Sequence, residues 1–119
     1  MNFFDPVVFE AFASALAGTT IIDQWDSRVA KVSDKIFALR NEDGGVPRIA
    51  FKCSEETFEI LTALDGVAQA PYFAKRKWVS VSSTAPLSAT EMEHYVRRSY
   101  ELVAAGLTRK LRRELGIES

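Results

Sequence analysis

Hydrophobic residues recur with two different periods along this chain, and the places where the period changes divide it into elements. Val8, Phe9, Phe12, Ala13 and Leu16 fall at helical spacing, giving one apolar stripe that a sheet or another helix must cover. Asp5 as N-cap, Pro6 at the first helical position and Phe4 set against Phe9 as a hydrophobic staple mark the start, and Gly18 marks the end. From residue 19 to 52 the period shortens to that of strands. β-Branched and aromatic runs over 20–25, 28–32, 35–40 and 48–52 alternate with polar turns at Asp26-Ser27, Ser33-Asp34 and 41–47, the pattern of an antiparallel meander. The last of these, with Gly44, Gly45 and Pro47, is expected to project as a mobile, wing-like tip.

A second helix opens with Ser54 as N-cap and Glu55 and Glu56 in its first turn, where the helix dipole favours anions. Phe58, Leu61 and Leu64 face inward, and Asp65-Gly66 stops it. An irregular connection over 67–77 leads to a fifth strand, 78–82. The third helix carries the strongest local signal: Ser88-Ala89-Thr90-Glu91 is a capping box, with Leu87 opposite Met92 as staple. Met92, Tyr95, Val96, Ser99, Val103 and Leu107 form its buried stripe, while Gly106 and Thr108 predict a break before a last turn of helix over 108–115. These elements predict an α+β fold, a five-stranded, largely antiparallel sheet packed on helices in the order α-β-β-β-β-α-β-α, as one domain over residues 1–119. The expected core is Phe9, Phe12, Leu16, Phe37, Leu39, Ile49, Phe51, Phe58, Leu61, Val79, Val81, Val96, Val103 and Leu107.

Composition narrows the class. With 47% hydrophobic and 26% charged residues the chain is globular rather than disordered or fibrous. Cys53 is the single cysteine, so no internal disulfide forms, and the start Met1-Asn2-Phe3-Phe4-Asp5 lacks the basic and apolar regions of a signal peptide. A cytoplasmic location is expected. The uncharged window 11–22 is too short and too rich in small residues to span a bilayer, so no membrane partner is expected. The net charge of −1 argues against a protein that coats nucleic acid by bulk charge. Residues 1–59 carry 6 basic and 10 acidic side chains, whereas residues 60–119 carry 9 and 6, so an anionic partner is expected on the C-terminal half.

Within that half, Tyr72-Phe73-Ala74-Lys75-Arg76-Lys77-Trp78 sets three cations between aromatics. Aromatic faces stack on bases while cations neutralise phosphates, so Lys75, Arg76, Lys77 and Trp78 are candidate nucleic-acid contacts. Arg97, Arg98, Arg109, Lys110, Arg112 and Arg113 are candidates for added charge. The structural alternative is that loop cations form a solvated face, that Trp78 is core, and that cations at a helix C-terminus complement its dipole. One Cys and one His cannot build the usual zinc sets, and Gly44-Gly45 lacks the phosphate-loop pattern. Glu42 and Asp43 could hold a hard cation weakly, although acidic loop tips are ordinarily just solvated. Cys53 precedes a helix start and His94 is the sole imidazole, but Cys53 reads as the staple partner of Phe58, a structural thiol. No catalytic set, cofactor or metal is expected.

Four blocks, Lys35-Ile36-Phe37-Ala38-Leu39, then Arg48-Ile49-Ala50-Phe51-Lys52-Cys53, then Tyr72 with Lys75, Arg76 and Trp78, then Ser99-Tyr100-Glu101-Leu102-Val103, occur in an order and at separations that resemble the MmcQ/YjbR family of small bacterial proteins. The resemblance covers nearly the whole chain. It implies a compact fold like the secretion-chaperone or CyaY-like folds, and a DNA-binding label given because the family's hairpins look like a double wing, which is a fold-level analogy. Thr108 stands where that family often has a proline, and Ser33-Asp34 replaces a glycine-containing turn. The leading expectation is a non-enzymatic module for DNA or another nucleic acid. The alternative is a protein- or peptide-binding module that uses the sheet face or an edge strand. A metabolite site would need a cavity that joins Cys53, His94 or Tyr72.

Overall fold

The computed structural model describes residues 2–24, 26–71 and 77–117. Its order is α1 (Pro6–Ser14), β1 (Thr19–Gln24), β2 (Ser27–Val32), β3 (Lys35–Asp43), β4 (Val46–Lys52), α2 (Glu55–Thr62), β5 (Val67–Gln69), β6 (Trp78–Ser82), α3 (Ala89–Ala104) and α4 (Arg109–Glu114). The strands form one sheet in the order β1-β2-β3-β4-β6-β5, with every pairing antiparallel.

The expected α+β class holds, with two corrections. The sheet has six strands, because Val67–Gln69, read as part of an irregular connection, pairs with Val81–Val79 of β6. Three residues are too few to show an alternating pattern. The expected wing tip over 41–47 is also mostly strand: Asp43 pairs with Val46, and only Gly44 and Gly45 turn the chain. Both have positive φ, 60° and 83°, the backbone of a tight hairpin turn whose twist matches its flanking strands.

Local capping signals place the helices. Asp5 accepts from Val7 and Val8, Ser54 from Thr57, Ser88 from Glu91 within a complete capping box, and Thr108 from Leu111. Thr108 thus starts α4 as a cap, so the break falls where expected without a proline. The first sheet face is covered by α1 over β1 and β2, α3 over β2, β3 and β4, and α2 over β6 and β5. Phe9, Phe37, Phe51, Ile49, Val79, Val81, Met92 and Val96 are fully buried between them. Of the expected core, Phe12, Leu16, Leu39 and Phe58 are half-buried and none is exposed. Phe3, Phe4, Val29, Val32 and Tyr100 are buried too, though the periodicity did not select them.

Ser99 ties α3 to the sheet. Its hydroxyl donates to the Phe37 carbonyl at 2.6 Å and accepts from the Lys52 N–H at 2.8 Å. The β3–β4 register ends one step earlier, at Ala38↔Phe51, beside an irregularity in the β2–β3 pairing at Ala30/Lys31. A helix side chain therefore satisfies both backbone groups where the ladder stops.

Candidate nucleic-acid interface on the outer sheet face

Side chains alternate across a strand, so residues between core-facing positions belong to the sheet's second, outer face. Pairing aligns Ile22, Val29, Leu39, Ala50, Ser80 and Ala68 in one row across all six strands. On one side of that row lie Lys31, Ile36, Lys52 and Trp78, and on the other Asn41, Arg48 and Ser82. Trp78 is 8% exposed and forms a small second core with Ala50, Ala70, Ile36 and Leu39. In this conformation its ring is packed rather than presented for stacking.

The charge of this face was not anticipated. In the outer phase of the described strands, Lys31, Arg48 and Lys52 stand against Asp43 alone. None of the three cations is in an ion pair with a described residue. The other strand arginines are neutralised on the helix side: Arg28 binds Glu10 at 2.6 Å and Asp23 at 2.8 Å, and Arg40 binds Glu42 at 3.2 Å and the Phe4 carbonyl. The Arg28 guanidinium is held charged by the hydrogen bonds it donates to the Glu10 and then the Asp23 carboxylate. Glu10 and Asp23 are thereby engaged away from the outer face, and Glu42 is held by Arg40.

A groove of about 380 Å³ crosses the outer face from β3 to β5, floored by Leu39, Ala50, Ala68 and Ser80. Arg48 forms one wall, its Nη1 held by the Ser80 hydroxyl at 3.2 Å. Asn41, Glu42 and Asp43 close one end, and Gln69, Ala70 and Pro71 the other.

The C-terminal candidates do not gather there. Lys75 and Arg76, with Tyr72, lie outside the described residues. Lys77 is exposed, and its carbonyl accepts from the Cys53 N–H at 2.7 Å. Arg97 and Arg98 ride on α3, across the sheet from Trp78. Arg97 sits 5.1 Å from the Phe12 ring centroid, and Arg98 pairs with Glu101 at 2.7 Å. Arg112 donates to the Ala105 and Leu107 carbonyls and so caps the end of α3, the structural alternative for that position. Arg109, Lys110 and Arg113 are exposed on α4 and free of ion pairs with described residues.

No hydrogen bond joins Cys53 to His94. Cys53 is 5% exposed and burial pushes its thiol up to about 11, the reverse of an activated nucleophile, while His94 is exposed against the edge of Tyr95. Among the described residues no group of three or more His, Cys, Asp or Glu could hold a metal ion, and no helix is long and apolar enough to cross a membrane.

Comparison with known proteins follows the same lines. A family model described as YjbR matches residues 14–102. The chain is similar to the Deinococcus radiodurans protein DR2400, a crystal structure with family-model domain DUF419, at 23% identity and TM-score 0.83, covering 94% of this chain and 88% of that one. A Pseudomonas syringae protein determined by crystallography is 24% identical with TM-score 0.68, covering 82% and 97%. Its solution NMR structure gives 24% and 0.64, covering 86% and 92%. At these identities the likeness speaks for the fold. Curated proteins include no significant match.

Proposed function

The chain belongs to the YjbR family, and from the geometry of its sheet we propose that it is a non-enzymatic binding module whose outer face holds a nucleic-acid strand. The observation that carries this reading is the set of cations Lys31, Arg48 and Lys52 on one face, in no ion pair with a described residue and facing a single acidic residue of that phase among the described strands. A polyanion gains most from cations that have no carboxylate of their own, because nothing need be released to bind it. Lys77 adjoins this face in sequence through Trp78, and the α4 cations add to the field at longer range. Labelled single- and double-stranded DNA and RNA titrated at low and moderate salt test the reading. Binding should weaken steeply with salt, and Lys31→Ala with Lys52→Ala should lower the slope by up to roughly two. No association at low salt would overturn it.

A second reading, a protein strand added to the sheet, is supported by β1. Val32↔Lys35 and Gln24↔Ser27 close two-residue connections, which turns the backbone groups of Ile21 and Asp23 away from β2. That edge carries no lysine or proline to guard it. Capture of a protein partner that is abolished by Ile22→Lys, without nucleic-acid binding, would promote this reading over the first.

A further inference from the structure

We infer that the groove across the outer face holds one unpaired nucleotide of a single strand, with the base flat on Ala50 and Ala68 and its phosphate on Arg48. This rests on the nucleic-acid reading and goes beyond it, because charge alone does not choose between strand forms. Three features point to a nucleotide. The floor from Leu39 through Ala50 and Ser80 to Ala68 crosses three strand spacings, roughly 14 Å, which leaves room for a base and sugar beside a phosphate on Arg48. Ala50 and Ala68 leave shallow apolar ground on either side of Ser80, and the groove volume of about 380 Å³ lies within the range of roughly 300–1,000 Å³ typical of small-molecule sites.

Arg48 supplies the anion site. Ser80 fixes Nη1 through its hydroxyl at 3.2 Å and its carbonyl at 3.5 Å. The remaining guanidinium N–H groups make no hydrogen bond to a described residue and can grip an oxyanion in bidentate fashion. Two carboxylates stand at the β3 end of the groove. Glu42 is held by Arg40 at 3.2 Å, and Asp43 is exposed, in no ion pair with a described residue. They repel a second phosphate there, so the strand leaves Arg48 toward Lys52 and Lys31, which lie on the other side of the floor.

The groove reverses an expected order. A surface that binds by charge alone prefers duplex, whose charge density is higher, whereas only an unpaired base can lay its face on the alanine floor. Fluorescence anisotropy with a labelled twelve-residue oligothymidine and a twelve-base-pair duplex at low salt reads this out, using the full chain. The wild type should bind the single strand several-fold more tightly than the duplex. Arg48→Met should weaken the single strand about tenfold and lower its salt slope by about 0.7. Ala68→Leu, at an exposed position, fills the floor without changing charge, and should weaken the single strand while leaving the duplex unchanged. Unaltered thermal midpoints establish that both variants fold. Duplex bound as tightly as single strand, or variants that affect both equally, would overturn the groove inference and leave the outer-face reading standing. Absence of binding to either nucleic acid would remove that reading and this inference with it.

Discussion

Ser99→Ala should be among the most damaging conservative substitutions in this domain. Ser99 is fully buried, and one hydroxyl serves two backbone groups on adjacent strands, Phe37 C=O and Lys52 N–H. Removing it leaves both without a partner where water cannot reach, at about 1–3 kcal/mol for each unsatisfied group. Alanine favours helix over serine by roughly 0.5 kcal/mol, and the strands can recover part of the rest by moving closer. A net loss of about 2–4 kcal/mol follows, a large share of a typical domain stability of roughly 5–15 kcal/mol. Urea denaturation followed by far-UV circular dichroism measures it, with an unchanged m-value expected because the same surface is exposed on unfolding. Ser99→Cys, whose larger sulfur bonds only weakly, should restore at most part of the loss. A loss under about 0.5 kcal/mol, or a variant structure in which Lys52 donates directly to Phe37, would refute the view that α3 completes this ladder.

Ser88→Ala removes the acceptor for the Glu91 N–H at 3.1 Å and breaks a complete capping box, so the denaturant midpoint should fall by an amount equivalent to about 1 kcal/mol. Gly66→Ala forces an L-residue to φ 85° and sets a Cβ 3.2 Å from the Ala85 backbone, which should cost about 1–2 kcal/mol or more in the same assay. Burial raises the Cys53 thiol from 9.0 to about 11, so the folded state holds its proton longer than the unfolded one. The stability this contributes is complete below about pH 9 and is lost as pH rises toward 11; Cys53→Ala should flatten that part of the stability curve, and iodoacetamide should modify the native thiol far more slowly than the unfolded one.

The helices were legible because their signals are local. Asp5, Ser54, Ser88 and Thr108 each bond to N–H groups two or three residues away, so spacing alone identifies them. The strands were less so. Polar Asn41 to Asp43 and the Val46-Pro47 pair show no alternation, and their pairing is imposed by the Gly44-Gly45 turn and continued by the ladder. β5 exists because β6 offers it an edge, not because Val67-Ala68-Gln69 asks for one. Tyr100 escaped notice because a helical stripe through Tyr95, Val96, Ser99 and Val103 assigns it to a flank. Its ring meets Phe37 edge-on at 5.2 Å, and its hydroxyl bonds to the Ala17 carbonyl.

The candidate site was hidden for a different reason. Charge counted along the chain makes residues 1–59 acidic, yet charge in a sheet is sorted by strand phase and then by register. Arg28 and Arg40 share the helix-side phase, where Glu10, Asp23 and Glu42 meet them. Lys31, Arg48 and Lys52 share the other phase, which carries almost no acid. A one-residue slip of β4 against β3 would send Arg48 and Lys52 to the helix side and unseat Phe51 and Ile49 from the core. The packing that buries those two side chains therefore also holds Arg48 and Lys52 outward. The basic outer face is thus coupled to the hydrophobic core, and substitutions that loosen β4 should scatter its charge before they unfold the domain.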